Sequence, residues 1–159
     1  MNQTEQVLWT SDWAWSMPLI VLTVVIHVLG LGLFNQMVVP SLGRVMNRRH
    51  PTGAFIMVMG VTILVVTVLH ALEATIWAAA YRVLGALPDA RRALLYSLSS
   101  MTTYGHANLY LTEHWQLMGA MEALNGIILF GLTTAFLFGM IVRVWPVGGM
   151  IWHRESTRS

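Results

Sequence analysis

A run of six residues in the second half of the chain could offer backbone carbonyls and threonine hydroxyls to a cation. It consists of Thr102, Thr103, Tyr104, Gly105, His106 and Ala107. A dehydrated cation is stabilised when carbonyl and hydroxyl oxygens replace its shell of water. The backbone must be extended and twisted to aim successive carbonyls at one axis, and glycine adopts such dihedral angles at low cost. The run therefore predicts ion binding by backbone and hydroxyl oxygens.

A short helix is predicted immediately before this loop. Residues 90–103 are amphipathic and rich in serine and threonine, and Asp89 stands where an N-cap residue is expected. The segment is too short to cross a bilayer, which requires ~20 apolar residues in a helix. It therefore predicts a re-entrant pore helix that dips into the membrane and returns. The partial negative charge at its C-terminus favours a cation beside the loop.

Three longer apolar segments are predicted to span the membrane, and tryptophans near their ends are typical of membrane–water interfaces. Together with the short helix they divide the chain into seven parts. These are an outer N-terminal arm (1–17), an extra transmembrane helix (18–40), an outer helix (53–81), the pore helix (90–103), a filter (103–108), an inner helix (115–145) and a tail (146–159). Residues 53–145 then form one pore module.

Composition excludes several classes of function. Of the 159 residues, 56% are hydrophobic and 10% are charged, whereas a soluble domain carries about 25% charged residues. The formal net charge of +2 is too small and too scattered to indicate a nucleic-acid partner. The absence of cysteine excludes disulfides and thiolate metal sites. No nucleophilic triad, phosphate loop or pair of catalytic carboxylates is recognisable, so we expect a membrane protein that is not an enzyme.

The arginines predict the orientation of the spans. Arg44, Arg48 and Arg49 lie in the loop after the first span, whereas the N-terminal arm carries acidic residues. Basic loops stay on the cytoplasmic side of a membrane. We therefore expect the first loop and the C-terminus in the cytoplasm, and the N-terminus and the short helix with its loop on the outer side.

Two stretches of the chain resemble parts of a known family. Residues 96–108 resemble the pore signature of the two-transmembrane potassium-channel superfamily. Residues 115–131 resemble the inner-helix start of small bacterial ion-channel proteins that carry an extra N-terminal helix. The likeness covers residues 60–142. It implies an all-α membrane fold of three transmembrane helices plus a re-entrant pore helix and filter loop, assembled as a homotetramer in a bacterial inner membrane.

The filter itself departs from the family's usual Thr-Val-Gly-Tyr-Gly-Asp. Thr103 and Gly105 agree with it, while Tyr104, His106, Ala107 and Asn108 replace Val, Tyr, Gly and Asp. Alanine costs on the order of 1 kcal/mol where a positive φ is needed, and histidine can titrate near neutral pH. The resemblance thus implies K⁺ or Na⁺ as bound ions, with relaxed or altered selectivity.

Two residues are predicted to support the filter. Asn108 is the last residue of the filter segment 103–108, and Glu122 lies early in the third span, near the level of the re-entrant loop. An ionisable residue at membrane depth is a functional hypothesis by default. We expect Glu122 to accept hydrogen bonds from serine or threonine hydroxyls, or to pair with His106 or an arginine.

Small and hydroxyl-bearing residues of the third span allow two interpretations each. Gly126 and Gly131 can act as gating hinges, because glycine weakens a helix locally, or they can let helices approach closely. Thr133 and Thr134 can line a water-filled cavity, or their hydroxyls can bond back to the helix.

Two histidines fall at similar depth in the first and second spans. These are His27 and His70, and Glu73 follows His70 by one turn on the same helix face. Such a set can ligate a haem or a metal ion. It can equally form a hydrogen-bonded cluster that joins the extra helix to the pore module.

The predicted function is a passive monovalent cation channel whose partners are membrane lipid, three further copies of the chain and the ions. Two alternatives remain. One is a haem- or metal-binding membrane redox subunit, and the other is a pore-like scaffold that does not conduct.

Overall fold

The fold is a bundle of helices. The computed structural model describes the backbone of residues 3–46, 51–105 and 108–144, and the side chains of 9–38, 52–105 and 108–143. The helices are α1 (Gln3–Met46), α2 (Pro51–Val83), α3 (Ala90–Met101) and α4 (Gln116–Val144), and a 3₁₀ turn, Glu113–Trp115, precedes α4. These described ranges contain no β-strand.

Three of the helices are long and apolar enough to cross a membrane. The candidate spans are Trp9–Val38 in α1, Thr52–Val83 in α2 and Glu113–Arg143, which covers the 3₁₀ turn and most of α4. Large apolar side chains remain exposed on all three helices, as expected of surfaces that face lipid rather than water. The prediction of an all-helical fold with three helices able to span a membrane is therefore confirmed for the described residues.

The first helix is longer than predicted. α1 begins at Gln3 and thus includes most of the segment 1–17 that was predicted as an arm. This segment contains no glycine or proline after which a helix would stop. Pro18 does not interrupt α1 either, because a membrane helix tolerates the missing N–H when neighbouring groups compensate. The predicted tail, residues 146–159, lies outside the described residues.

The short helix α3 begins where the sequence predicts. Asp89 has an extended backbone, and its carboxylate accepts a hydrogen bond from the Arg92 amide at 3.1 Å. This is the N-cap arrangement, in which a side-chain oxygen satisfies one free amide of the first turn. α3 ends at Met101 after 12 residues, so it remains too short to span a bilayer.

α3 packs between α2 and α4, and α1 covers the same two long helices from another side. Two groups of apolar residues mark levels along the bundle. The first, called the loop-side cluster here, contains Trp77, Tyr81, Ala86, Leu87, Ala93, Leu111, Trp115 and Met118. The second, called the central cluster, contains Val24, Ala74, Met101 and Leu129. α3 runs from the loop-side cluster at Ala93 to the central cluster at Met101.

Candidate functional site

The described part of the predicted filter forms the C-terminal cap of α3. The amide of Tyr104 donates to the Ser99 carbonyl at 2.9 Å, and that of Thr103 donates to the Ser100 carbonyl at 2.9 Å. This pair of bonds is the Schellman motif, which closes many helices through one left-handed residue. Thr103 is that residue, with φ +55°, and Gly105 is also left-handed, with φ +67°.

This cap differs from the extended backbone that the sequence predicts. Thr102 is helical at φ −85°, and its hydroxyl donates to the Leu98 carbonyl at 2.7 Å. Within one chain the nearest acceptors for the Thr103 and Tyr104 amides and the Thr102 hydroxyl are the carbonyls at the end of α3, which have no partner inside the helix. The cap provides hydrogen bonds to these carbonyls. His106 and Ala107 lie outside the described residues, and Asn108 is exposed.

Glu122 is fully buried and joins α4 to α2 and α3. The Tyr81 hydroxyl donates to its Oε2 at 2.6 Å, and the Ser97 hydroxyl contacts its Oε1. Ser97 Oγ also lies 2.8 Å from the Ala74 carbonyl oxygen. One hydroxyl hydrogen serves one acceptor at a time, so both Ser97 contacts are hydrogen bonds only when the Glu122 carboxyl carries a proton and donates.

These contacts define what Glu122 does in the single chain. We call Tyr81, Ser97 and Glu122 the Glu122 cluster. The expected partnership with a serine hydroxyl is present, at Ser97. Its effect is to hold the middle of α3 against the two long helices, several residues before the turn at Thr103, rather than to touch the turn itself.

Small residues of α4 let α3 approach closely. A Cβ atom on Gly126 would lie 2.2 Å from the Met101 carbonyl oxygen, a distance that atoms do not reach. A Cβ on Gly119 would lie 2.1 Å from the Tyr96 hydroxyl. Ser100 adds a hydrogen bond to the Gly119 carbonyl at 2.8 Å. Of the two interpretations of Gly126, close approach is therefore the one visible in the structure.

A second polar cluster joins the first helix to the others. We call His27, His70, Glu73 and Thr133 the histidine cluster. His27 Nδ1 lies 2.9 Å from Glu73 Oε1, and His70 Nδ1 lies 3.2 Å from Glu73 Oε2. The Nε2 atoms of His27 and His70 lie 3.0 and 3.2 Å from Thr133 Oγ1. Thr133 thus sits between two imidazoles, which differs from its predicted place in a water-filled cavity.

The histidine cluster does not fit a haem. The two imidazole rings have centroids 5.0 Å apart, and the His70 ring stacks on Phe130 at 4.5 Å. A haem held by two histidines needs its flat macrocycle between the rings, so α1 and α2 would have to separate. A single ion needs no such space, because ligand atoms of His27, His70 and Glu73 lie within 4.8 Å of one another.

The remaining predicted residues lie apart from the two clusters, and a buried polar pair was not predicted. Thr134 is exposed, with its hydroxyl bonded back to the Phe130 carbonyl at 2.8 Å, and Gly131 has no neighbour within 4 Å of a Cβ position. The unpredicted pair is Asn125, whose amide donates to Thr23 at 2.8 Å with both residues buried. The sequence signal that could have identified this pair is that Thr23 and Asn125 are polar residues near the middle of the first and third apolar spans.

Comparisons with known proteins return no relative of this chain. No protein-family model, no curated protein and no solved structure matches it. The likeness to potassium-channel pores therefore stays a prediction from the motifs, and function is inferred from the geometry above.

Proposed function

We propose that the protein is the pore subunit of a homotetrameric, passive monovalent cation channel in a bacterial inner membrane. The loop at the end of α3 would bind K⁺ or Na⁺ with relaxed or altered selectivity. The N-terminus and this loop would enter from the outer side, and the C-terminus would lie in the cytoplasm. The observation that carries the proposal is the depth at which α3 ends.

The end of α3 packs against the middle of the candidate spans. Met101 belongs to one apolar cluster with Leu129, and Val24 packs against that cluster; Val24 and Leu129 each lie within one residue of the midpoint of their span. Ala74, the other member of the central cluster, lies about six residues, ~10 Å, from the midpoint of its span. The hydrocarbon core is ~30 Å thick. A helix whose end packs at this level would terminate near the bilayer centre, as a re-entrant pore helix does.

The chain that follows α3 returns to the level where α3 began. Ala93, in the first turn of α3, belongs to the loop-side cluster, and Leu111 and Trp115, which come after the turn, belong to it as well. The segment from Ala93 to Trp115 therefore enters and leaves the bundle at the same end. This path supports a loop that dips into the membrane from one side.

The turn itself needs a polar environment at that depth. The side chains from Thr102 to Gly105 are exposed in the single chain, and Tyr104 keeps 79% of its surface. Irregular backbone at membrane depth is tolerated where it is buried in protein or lines a water-filled path. Further copies of the chain around a wet axis would satisfy both conditions.

An open groove next to the turn offers a surface for a neighbouring copy. It has a volume of about 420 Å³ and lies between α3 and α4. Small residues of α4, among them Gly119, Ala120 and Ala123, line one wall, and Ser99 and Thr103 line the other. Small residues allow close helix packing in membranes. The number of copies, four, comes from the resemblance rather than from this groove.

Ion flux from liposomes tests the proposal. The purified full chain is reconstituted in vesicles loaded with KCl or NaCl, and release of each ion is measured. We expect a cation leak that Gly105→Ala and Thr103→Val abolish or alter, because both change the proposed filter. Gly85→Ala is the matched control, since Gly85 has φ +69° and open space around it, as Gly105 does, but lies in the α2–α3 turn.

The outcomes separate the alternatives. A leak that neither substitution changes, or that Gly85→Ala changes equally, contradicts the filter assignment. A tetramer without any leak favours the non-conducting scaffold. A chain that cross-links only as a monomer or dimer in the membrane overturns the pore assembly.

A further inference from the structure

We propose that the histidine cluster is a metal site, in which His27 Nδ1, His70 Nδ1 and the Glu73 carboxylate ligate a divalent transition-metal ion, with Zn²⁺ the best chemical fit. The site would tie the first helix to the second in the interior of the bundle. It lies apart from the turn at Thr103 and does not depend on whether the protein conducts ions.

The donor set and its spacing suit zinc. Two imidazole nitrogens and one carboxylate with an open fourth position are a recurrent zinc set. With bonds of ~2.0–2.1 Å, tetrahedral ligands lie about 3.3–3.5 Å apart. The two histidine–carboxylate contacts measure 2.9 Å to Oε1 and 3.2 Å to Oε2, within a few tenths of an ångström of that spacing, and all the ligand atoms lie within 4.8 Å of one another. The absence of thiolates in the chain disfavours softer ions.

Thr133 supplies the orientation that metal-binding histidines require. Its hydroxyl oxygen contacts Nε2 of both rings at 3.0 and 3.2 Å, and a hydroxyl oxygen can accept two N–H groups. When both Nε2 atoms carry hydrogen, both Nδ1 atoms present lone pairs toward Glu73. A hydrogen bond from the second ring nitrogen is what fixes the tautomer and direction of a ligating imidazole.

Without a bound cation one contact in the cluster stays empty. Two neutral imidazoles and one threonine hydroxyl bring three hydrogens, and these fill the three hydrogen bonds to Glu73 Oε1 and Thr133. His70 Nδ1 and Glu73 Oε2 then face each other at 3.2 Å, and both are buried atoms without a hydrogen-bond partner. A metal ion, or a single proton on one of the two residues, would relieve the repulsion between these lone pairs.

Burial raises the free-energy cost of leaving His70 Nδ1 and Glu73 Oε2 without a hydrogen or an ion between them. Glu73 and His27 are fully buried, and both histidines lie within about four residues, ~6 Å, of the midpoints of their candidate spans. Charged groups at such depth pair with a partner or mark a functional site. A zinc ion would neutralise the carboxylate, and a water in the fourth position, which loses a proton readily on zinc, would balance the remaining charge.

The main rival is a single proton, on an imidazole or on the Glu73 carboxyl group, which would also fill the empty contact. Zinc binding to the chelator-stripped full chain in detergent separates the two. Dialysis against Zn²⁺ followed by elemental analysis is expected to give one ion per chain. Co²⁺ in place of Zn²⁺ is expected to give the visible absorption of a tetrahedral site.

Glu73→Gln is the decisive variant because it is expected to fold. The glutamine oxygen can accept from His27 Nδ1, and its amide can donate to the bare His70 Nδ1, so every contact is filled without an ion. We expect this variant to stay folded but to lose zinc binding. Thr133→Val should keep the ligands but weaken zinc affinity ~10–100-fold, as loss of an outer contact to a metal ligand does.

His114→Gln is the matched control for binding at an accessible histidine. His114 lies in the 3₁₀ turn before α4 and is not part of the cluster. Its substitution should leave the stoichiometry at one ion per chain. Less than a fifth of an ion on the wild-type chain would mean that the cluster holds a proton. Equal binding by Glu73→Gln and the wild type would mean that zinc binds elsewhere. Either result would overturn the metal site.

Discussion

Glu122 and Glu73 are both fully buried carboxyl groups in candidate spans, yet their surroundings differ. Glu122 contacts the hydroxyls of Tyr81 and Ser97, and the Ser97 hydroxyl also contacts the backbone carbonyl of Ala74. Glu73 meets two imidazoles, each of which also contacts Thr133. One carboxyl group is held by neutral hydroxyls and the other by nitrogen bases.

The difference lies in the atoms that surround each carboxyl group, since a single proton would complete the contacts of either cluster. A single proton on Glu122 completes every contact of the Glu122 cluster with no net charge, so that cluster is a self-sufficient clamp for α3. In the histidine cluster His70 Nδ1 and Glu73 Oε2 face each other without a hydrogen-bond partner, and either a proton or a metal ion can fill the position between them, because imidazole nitrogens are metal ligands. Hydroxyl partners therefore suit a structural role, whereas imidazole partners leave a position that a cation can fill.

The largest effect is expected when the clamp is removed. Glu122→Ala leaves the buried Tyr81 hydroxyl without its partner, at ~1–3 kcal/mol, removes one of the two contacts of Ser97, and opens a cavity. We expect a loss of about 3–5 kcal/mol in the free energy of unfolding, measured by denaturant titration in detergent.

Two further substitutions sharpen this prediction. Glu122→Gln should retain most of the stability, because the amide can donate to Ser97 while its oxygen accepts from Tyr81. Glu113→Ala, at an exposed position, should change stability by less than about 0.5 kcal/mol. If Glu122→Ala were no more destabilising than Glu113→Ala, the comparison between the two carboxyl groups would fail.

A smaller effect is expected where α3 touches α4. The Cβ of Gly126→Ala would collide with the backbone at Met101, at 2.2 Å, so the helices must separate. Overpacking of this kind costs ~1–3 kcal/mol. Gly131→Ala is the matched control, since open space surrounds Gly131 and alanine favours a helix by up to ~1 kcal/mol. Melting temperatures should fall for the first variant and stay or rise for the second; the same shift in both would argue for a hinge role at Gly126.

The smallest effect is expected in the histidine cluster of the metal-free chain. Thr133→Val removes both hydrogen bonds of the hydroxyl between the two imidazoles. At up to ~1 kcal/mol for each bond, we expect a loss of about 1–2 kcal/mol in the free energy of unfolding. Thr134→Val should stay within about 0.5 kcal/mol, because that exposed hydroxyl bonds only to its own helix among the contacts described. Equal losses from the two variants, measured by the same denaturant titration, would show that the cluster adds no stability beyond helix packing.

The local features of the fold were open to prediction. The three spans follow from long apolar runs, and the start of α3 follows from Asp89 before a short amphipathic segment. The serine partner of Glu122 was expected as a type of contact, but Ser97 was not singled out. Thr23 and Asn125, separated by 102 positions, could not be paired because nothing in the sequence gives the relative rotation of α1 and α4.

By itself the sequence determined that the chain is helical, lies in a membrane with three spans, and carries one short helix followed by a polar turn. Those properties depend on hydrophobicity and capping, which act over a few residues. Only the tertiary structure decided that α3 ends beside the midpoints of neighbouring spans, that Thr103 caps a helix, and that Thr133 lies between two histidines. Such contacts depend on how far each helix slides and turns against its neighbours, and packing between distant segments sets both.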